Sequence, residues 1–296
     1  MSPSRAKAPP PEGGPVHPRL HLGTSSFSHP SWVGPFYAQG TKPGDFLGAY
    51  ARRFGTVEID ATFYRIPSAA QVRSWASRVQ EGFAIATKVP QVITHDKMLV
   101  GADEDLKAFL GAMEEAGDKL GPMLFQFPYV RKGTFAGVDP FLKRLDPVLG
   151  SLPRDRRFAV EIRNKTWLGE PFFGLLRAHG VAYAMIDHPW MPPIGRLLEG
   201  PDPVTADFAY VRWLGDRHAI EAKTDSFDRL IVDRTKEMDV WVDALAMLLE
   251  RNIEVFGYFN NHYAGHAPGS IALLRDIWRA RFGDAPPRRP RPRKDA

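Results

Sequence analysis

Four carboxylates and three cations each stand at the end of a short apolar run. In Val57-Glu58-Ile59-Asp60 and Val160-Glu161-Ile162-Arg163, charged residues alternate with β-branched ones. In an extended chain, alternation puts Glu58 with Asp60, and Glu161 with Arg163, on one face each, opposite Val and Ile. Lys88, Asp187 and Arg212 close comparable runs, as do Gln126 and the triplet Asn260-Asn261-His262. Acids and an imidazole in one place suit general acid–base work, so Glu161, Asp187 and His262 are the catalytic candidates. Lys88, Arg163 and Arg212 suit a phosphate or carboxylate. Glu58, Asp60, Gln126, Asn260 and Asn261 would complete a polar lining, with Tyr64 and Trp32 offering aromatic faces to a sugar or base ring.

Other chemistries use the same residues. Glu161, Asp187 and His262, with His95 or His188, mix hard and borderline ligands for a divalent metal. No local spacing such as HExxH marks such a site. Two of Glu58, Asp60, Glu161 and Asp187 could form the carboxylate pair of a glycosidase. The charges could also be scaffolding, a buried salt-bridge ring in which Glu58 and Arg163 pair between strands. Trp32 and Trp167, each in a compact turn, could wedge loops in place rather than touch a ligand.

These positions need a framework that brings strand ends together. Apolar runs predict strands over 20–25, 56–60, 83–88, 123–127, 158–163, 181–187, 208–214 and 255–260. Helical periodicity lies between most of them, over 45–54, 69–78, 103–119, 140–149, 171–179, 240–251 and 271–281. Eight strands, mostly followed by helices, imply right-handed βα units closing into a (β/α)8 TIM barrel, with the charged ends at one mouth. A doubly wound sheet would want a glycine-rich phosphate loop after the first strand, and Gly23-Thr24-Ser25-Ser26-Phe27 is not one. After the sixth strand Pro189, Pro192 and Pro193 forbid a regular helix, and residues 215–235 read as a long polar loop.

Composition narrows the class. The chain has 296 residues, 44% hydrophobic and 25% charged, with no Cys. Disulfides, thiol catalysis and cysteine-held metals are excluded. No run approaches the ~20 apolar residues of a membrane span, and residues 1–18 lack the apolar stretch of a secretory signal, so a cytoplasmic location is expected. The net charge of +5 invites a nucleic-acid reading. It sits at the ends. Residues 1–19 hold Arg5, Lys7 and Arg19 against Glu12, and residues 285–296 hold Arg288, Arg289, Arg291, Arg293 and Lys294 against Asp295. Their +2 and +4 leave 20–284 at −1. Both ends are rich in Pro and charge, which predicts disordered tails at 1–19 and 285–296 around one domain at 20–284, the basic C-terminal tail offering non-specific contact to nucleic acid.

Several motifs resemble the DUF72 (YecE-like) family. They are Leu22-Gly23-Thr24-Ser25 with Trp32-Val33-Gly34-Pro35-Phe36-Tyr37, Thr56 to Pro67, Phe83 to Pro90 with Ile93-Thr94-His95, and Gly121-Pro122 to Gln126-Phe127-Pro128. Ala159 to Arg163 with Trp167, and Tyr258 to Pro268, continue the match. The resemblance runs over nearly the whole body and implies a TIM barrel, but no established reaction. Two departures stand out: Asp60-Ala61 replaces the usual Asn-Ser before Thr-Phe-Tyr, and Arg212-Trp213-Leu214-Gly215 replaces a frequent Arg-x-His-Gly. The functional expectation is a hydrolase-type enzyme acting on a phosphorylated or sugar-containing ligand, one version being a metal-dependent phosphodiesterase. The alternative is a non-catalytic protein that binds an anionic metabolite or nucleic acid.

Overall fold

The computed structural model describes residues 14–283. Eight parallel strands form one sheet: β1 (Leu20–Thr24), β2 (Thr56–Ile59), β3 (Ala84–Lys88), β4 (Leu120–Gln126), β5 (Phe158–Glu161), β6 (Ala182–Asp187), β7 (Phe208–Trp213) and β8 (Glu254–Phe259). Each pairs with its sequence neighbour from β2 to β8, and β8 pairs with β1, so the sheet curls into a nearly closed (β/α)8 barrel. At the β1–β2 seam the backbones approach so closely that a Cβ on Gly23 would lie 2.3 Å from the Thr56 carbonyl oxygen. Only glycine fits there.

The helices are α1 (Phe46–Ala51), α2 (Ala61–Tyr64), α3 (Ala69–Ser77), α4 (Asp103–Met113), α5 (Asp139–Ser151), α6 (Glu170–His179), α7 (Ile194–Leu198), α8 (Arg217–Glu221), α9 (Thr235–Glu250) and α10 (Ala267–Phe282). In α9 the residues Met238, Trp241, Val242, Leu245, Leu248 and Leu249 make the apolar stripe that presses on the barrel. The predicted helices are present, but α2, α7 and α8 were not foreseen. They are too short for a 3.6-residue period to register.

Alternation sorts each strand into an outer face against the helices and an inner face. Ala86, Leu124, Ala159, Ala182 and Ala184 meet Phe208, Tyr210, Phe256 and Tyr258 inside the barrel. Small residues on β3–β6 leave the room that large rings from β7 and β8 fill. Directly above this plug, at the carboxyl ends of the strands, the lining turns polar.

Residues 14–19 correct one boundary. The expected N-terminal tail includes them, yet Val16 is buried, His17 is buried beside the Trp278 ring, and Arg19 donates to the Asn252 carbonyl. One apolar residue with a place in the core outweighs a proline-rich neighbourhood. The remainder of the expected tails, 1–13 and 285–296, lies outside the described residues. Among the described residues no helix is long and apolar enough to cross a membrane.

Candidate functional site

The polar layer begins with a fixed ion network. Arg212, on the inner face of β7 with Phe208 and Tyr210, reaches across the barrel. Its Nη2 donates to Glu58 Oε1 at 2.8 Å and its Nη1 to Glu161 Oε2 at 2.6 Å. Tyr210 donates its hydroxyl to Glu58 Oε2 at 2.6 Å, and Arg163 donates Nε to Glu161 Oε1 at 2.6 Å. Glu58 and Glu161 are wholly buried. Burial alone would raise the Glu161 pKa, but Arg163 and Arg212 outweigh it and hold the carboxyl at about 2. Both carboxylates accept hydrogen bonds from these donors, and Glu161 is held in its charged form. Glu58 pairs with Arg212 and Tyr210, not with Arg163 as the scaffolding expectation had it.

Lys88 stands in the same layer on different terms. It is 8% exposed, and no carboxylate oxygen lies within 4.0 Å of its Nζ among the described residues. The ammonium meets Gln126 Oε1 at 3.0 Å and the Phe63 ring face at 3.9 Å from its centroid. Gln126 is oriented by donating its Nε2 to the Phe127 carbonyl, which leaves the amide oxygen for Lys88. Thr62 fixes the backbone beneath, its hydroxyl bonding the Lys88 carbonyl at 2.7 Å. Burial, reinforced by Arg212, lowers the Lys88 pKa to about 8. Asp60 moves the other way: burial and the neighbouring Glu58 raise its carboxyl to about 6. Two groups with ordinary values far from neutrality are thus brought to either side of it.

Two imidazoles join from the loops. After β3 the chain makes a π-turn, Val92–Asp96, followed by Met98 and Leu99 with φ of 42° and 71°. Consecutive bulky residues in the left-handed region cost energy, and π-turns recur at functional sites. The turn sets His95 edge-on to Phe63, with its Nδ1 2.9 Å from the Thr94 hydroxyl. Burial and then Lys88 lower His95 to about 4; burial and then Arg163 do the same for His188. Both rings are neutral at pH 7.

Two cavities open at this mouth. One of about 280 Å³ is lined by Asp60, Ser26, His29, Asn260, His262 and Glu221, on the β8–β1–β2 side. The other, about 440 Å³, is lined by Arg163, Lys165, Tyr129 and Trp190, on the β4–β6 side. In strand order Lys88 lies between them. Tyr64, Tyr129 and Trp190 are exposed, at 71%, 50% and 61%.

Of the residues singled out in the sequence, Glu58, Asp60, Lys88, Gln126, Glu161, Arg163 and Arg212 come together in this layer. Asp187 is a correction. It shares the outer face of β6 with Tyr183 and Met185, and its Oδ2 accepts a 2.7 Å bond from the α9 indole of Trp241. The parity of Ala182, Ala184 and Ile186 gave that signal, since the inner face of β6 falls on even numbers. His262 does reach the mouth, but Asn260 and Glu221 hold its two ring nitrogens, at 2.7 and 3.1 Å. The three catalytic candidates Glu161, Asp187 and His262 therefore do not assemble, and among the described residues no three His, Asp or Glu side chains converge as a metal site. Asn261 is spent on Trp32 and the Ala267 amide, and Trp32 is 1% exposed, wedging its loop. Phe63 as the platform under Lys88 and Tyr210 as the partner of Glu58 are functional residues that the strand-end pattern did not single out. The inward parity of 208, 210 and 212 would have found Tyr210.

Comparison with known proteins places this geometry in a family. Residues 21–295 match the family described as "Protein of unknown function DUF72". UPF0759 protein YunF of Bacillus subtilis is 26% identical over 266 residues, covering 82% of this chain and 89% of that protein. UPF0759 protein YecE of Escherichia coli is 29% identical over 145 residues, 49% of this chain, so the match spans about half, 48%, of that relative's length. A crystal structure of a DUF72 family protein from Thermotoga maritima superimposes with a TM-score of 0.67 at 27% identity, covering 86% of this chain and 96% of that one. A xylose isomerase-like TIM barrel/4-hydroxyphenylpyruvate dioxygenase fusion protein shares the fold, with a TM-score of 0.50 at 16% identity, over 90% of this chain and 44% of its own. The chain belongs to the DUF72 family.

Proposed function

We propose that this DUF72 protein is an enzyme whose barrel mouth binds a small phosphorylated or carboxylated ligand, sugar-like in its polar edges, and moves a proton on it. The observation that carries this is Lys88. Three carboxylates share its layer, yet arginines hold two of them, and the lysine is left with an amide oxygen and a ring. A buried cation without an anion costs stability that a merely structural layer would avoid by using an apolar side chain. A ligand anion supplies the missing charge.

The roles divide accordingly. Lys88 holds the anion, joined by Arg163 where its guanidinium lines the wider cavity. Asp60 is the proton acceptor, because burial and the neighbouring Glu58 raise its carboxyl to about 6. In a hydrolytic reaction Asp60 would deprotonate the attacking water; neutral His95 would donate a hydrogen bond to the developing oxyanion. The Tyr129 and Trp190 faces beyond Arg163 suit the apolar face of a ring attached to the anion.

Calorimetric titration with glycerol 3-phosphate, on the wild type and on Lys88→Met, tests the reading. The expected result is binding that the substitution weakens at least tenfold while the melting temperature does not fall. Equal affinity in both proteins, or no binding to either, overturns it. A turnover screen on phosphoesters and glycosides then separates enzyme from binding protein. Activity is expected to rise with pH near 6, as Asp60 ionises.

A further inference from the structure

We propose that Lys88 is a covalent nucleophile that forms an imine with a small anionic aldehyde or ketone. This rests on the reading of the mouth as a ligand site, and it narrows the ligand to a carbonyl compound. An imine-forming lysine needs a neutral amine, a water-poor surrounding, a route for protons and room for the carbonyl carbon. Lys88 meets the first three with named residues, and in strand order it stands between the two cavities of the mouth.

Its amine is held by an uncharged acceptor. Gln126 Oε1 aligns Nζ at 3.0 Å without the full negative charge that would pin the ammonium form. The three nearby carboxylates would have done so, but Arg212 and Arg163 occupy Glu58 and Glu161, and Asp60 lies beyond ion-pair distance. The Phe63 face under Nζ, with His95 at its edge, keeps water from that side. Burial and the Arg212 charge bring the amine to about 8, so about a tenth of it is unprotonated at pH 7. A lysine in the ordinary range would offer less than a thousandth. The strand ends leave the β2 and β5 sides of the layer open to cavities, one lined by Asp60 and one by Arg163. The carbonyl carbon would sit over Nζ with the ligand's anionic group toward Arg163.

The step balances without any oxidant or reductant. The Nζ lone pair forms a bond to the carbonyl carbon, and the carbonyl π pair moves to oxygen, which takes a proton. The nitrogen loses a proton, and the resulting hydroxyl leaves as water once protonated, while the nitrogen lone pair closes the C=N bond. Asp60, half-protonated near pH 6, can accept the first proton and return it to the leaving hydroxyl. The product is a cationic imine that draws electrons from the adjacent carbon, the intermediate used for carbon–carbon cleavage and for proton exchange beside a carbonyl.

The test is reductive trapping of the full chain with sodium cyanoborohydride, using dihydroxyacetone phosphate and pyruvate as probes and glycerol 3-phosphate as the non-carbonyl comparison. Intact mass and peptide mapping are expected to show one adduct per chain, on Lys88, with a rate that saturates in probe. Glycerol 3-phosphate should protect. Lys88→Arg and Lys88→Met, each checked for a melting temperature that does not fall, should lose the adduct, and Asp60→Asn should form it at least tenfold more slowly. An adduct spread over surface lysines, or one that survives in both Lys88 variants, overturns the proposal. If glycerol 3-phosphate binds in a Lys88-dependent way and neither carbonyl probe is trapped, the anion site stands and the covalent step falls. If nothing binds and nothing is trapped, both fall.

Discussion

Lys88 and Asp60 each sit where burial favours their neutral form, and both placements oppose folding. Asp60 is raised from 3.8 to about 6, so stability falls as pH rises through that window. Lys88 is lowered from 10.5 to about 8, so the folded state stays weakened up to pH 8 and recovers as pH climbs toward 10.5. Glu161, lowered from 4.5 to about 2, adds stability above pH 4.5 that is lost as pH falls toward 2. Urea unfolding across pH should therefore show a shallow trough between 6 and 8, which Asp60→Asn with Lys88→Met flattens. Each of these substitutions should stabilise at pH 7 by roughly 1–3 kcal/mol while Lys88→Met weakens ligand binding and Asp60→Asn slows the chemistry, the signature of residues kept for function. Glu161→Gln and Arg212→Met should instead cost about 3–5 kcal/mol, because each leaves a buried charge unpaired. Alternation in the sequence exposed most of these residues; it could not distinguish a locked carboxylate from a titrating one, since that depends on which arginine reaches across the barrel.

The elements that set the site are a seam, a parity and a strained turn. Gly23 lets β1 lie against β2, and Gly23→Ala would press a methyl group into the Thr56 carbonyl, so thermal unfolding should show a loss of ~2 kcal/mol or more. Parity on β6 turns Asp187 toward Trp241, so Asp187→Asn, which keeps an acceptor for that indole, should leave glycerol 3-phosphate binding unchanged. A loss of binding there would return Asp187 to the mouth. The eight strands were legible because each is a short apolar run before a turn. The π-turn that presents His95 was not, because Val-Ile-Thr-His-Asp carries no residue signature for an i to i+5 bond. Its mark is conformational: two residues with positive φ, Met98 and Leu99, one position beyond it.

Across the whole molecule, charge is partitioned by role. The body at −1 concentrates its unbalanced cation at one mouth, and the excess of +6 lies in the two termini. Removing 285–296 should abolish most retention on heparin at low salt while leaving glycerol 3-phosphate binding intact; retention that survives would place nucleic-acid affinity in the barrel. The most direct measurement is the titration of Lys88 itself, by NMR of its side-chain Cε and Nζ signals assigned through Lys88→Arg. An amine titrating near pH 8 in the free protein, and shifting upward when glycerol 3-phosphate is added, is the predicted result. A Lys88 that titrates near 10.5 and ignores the ligand would contradict the claim that this mouth was built around an unneutralised cation.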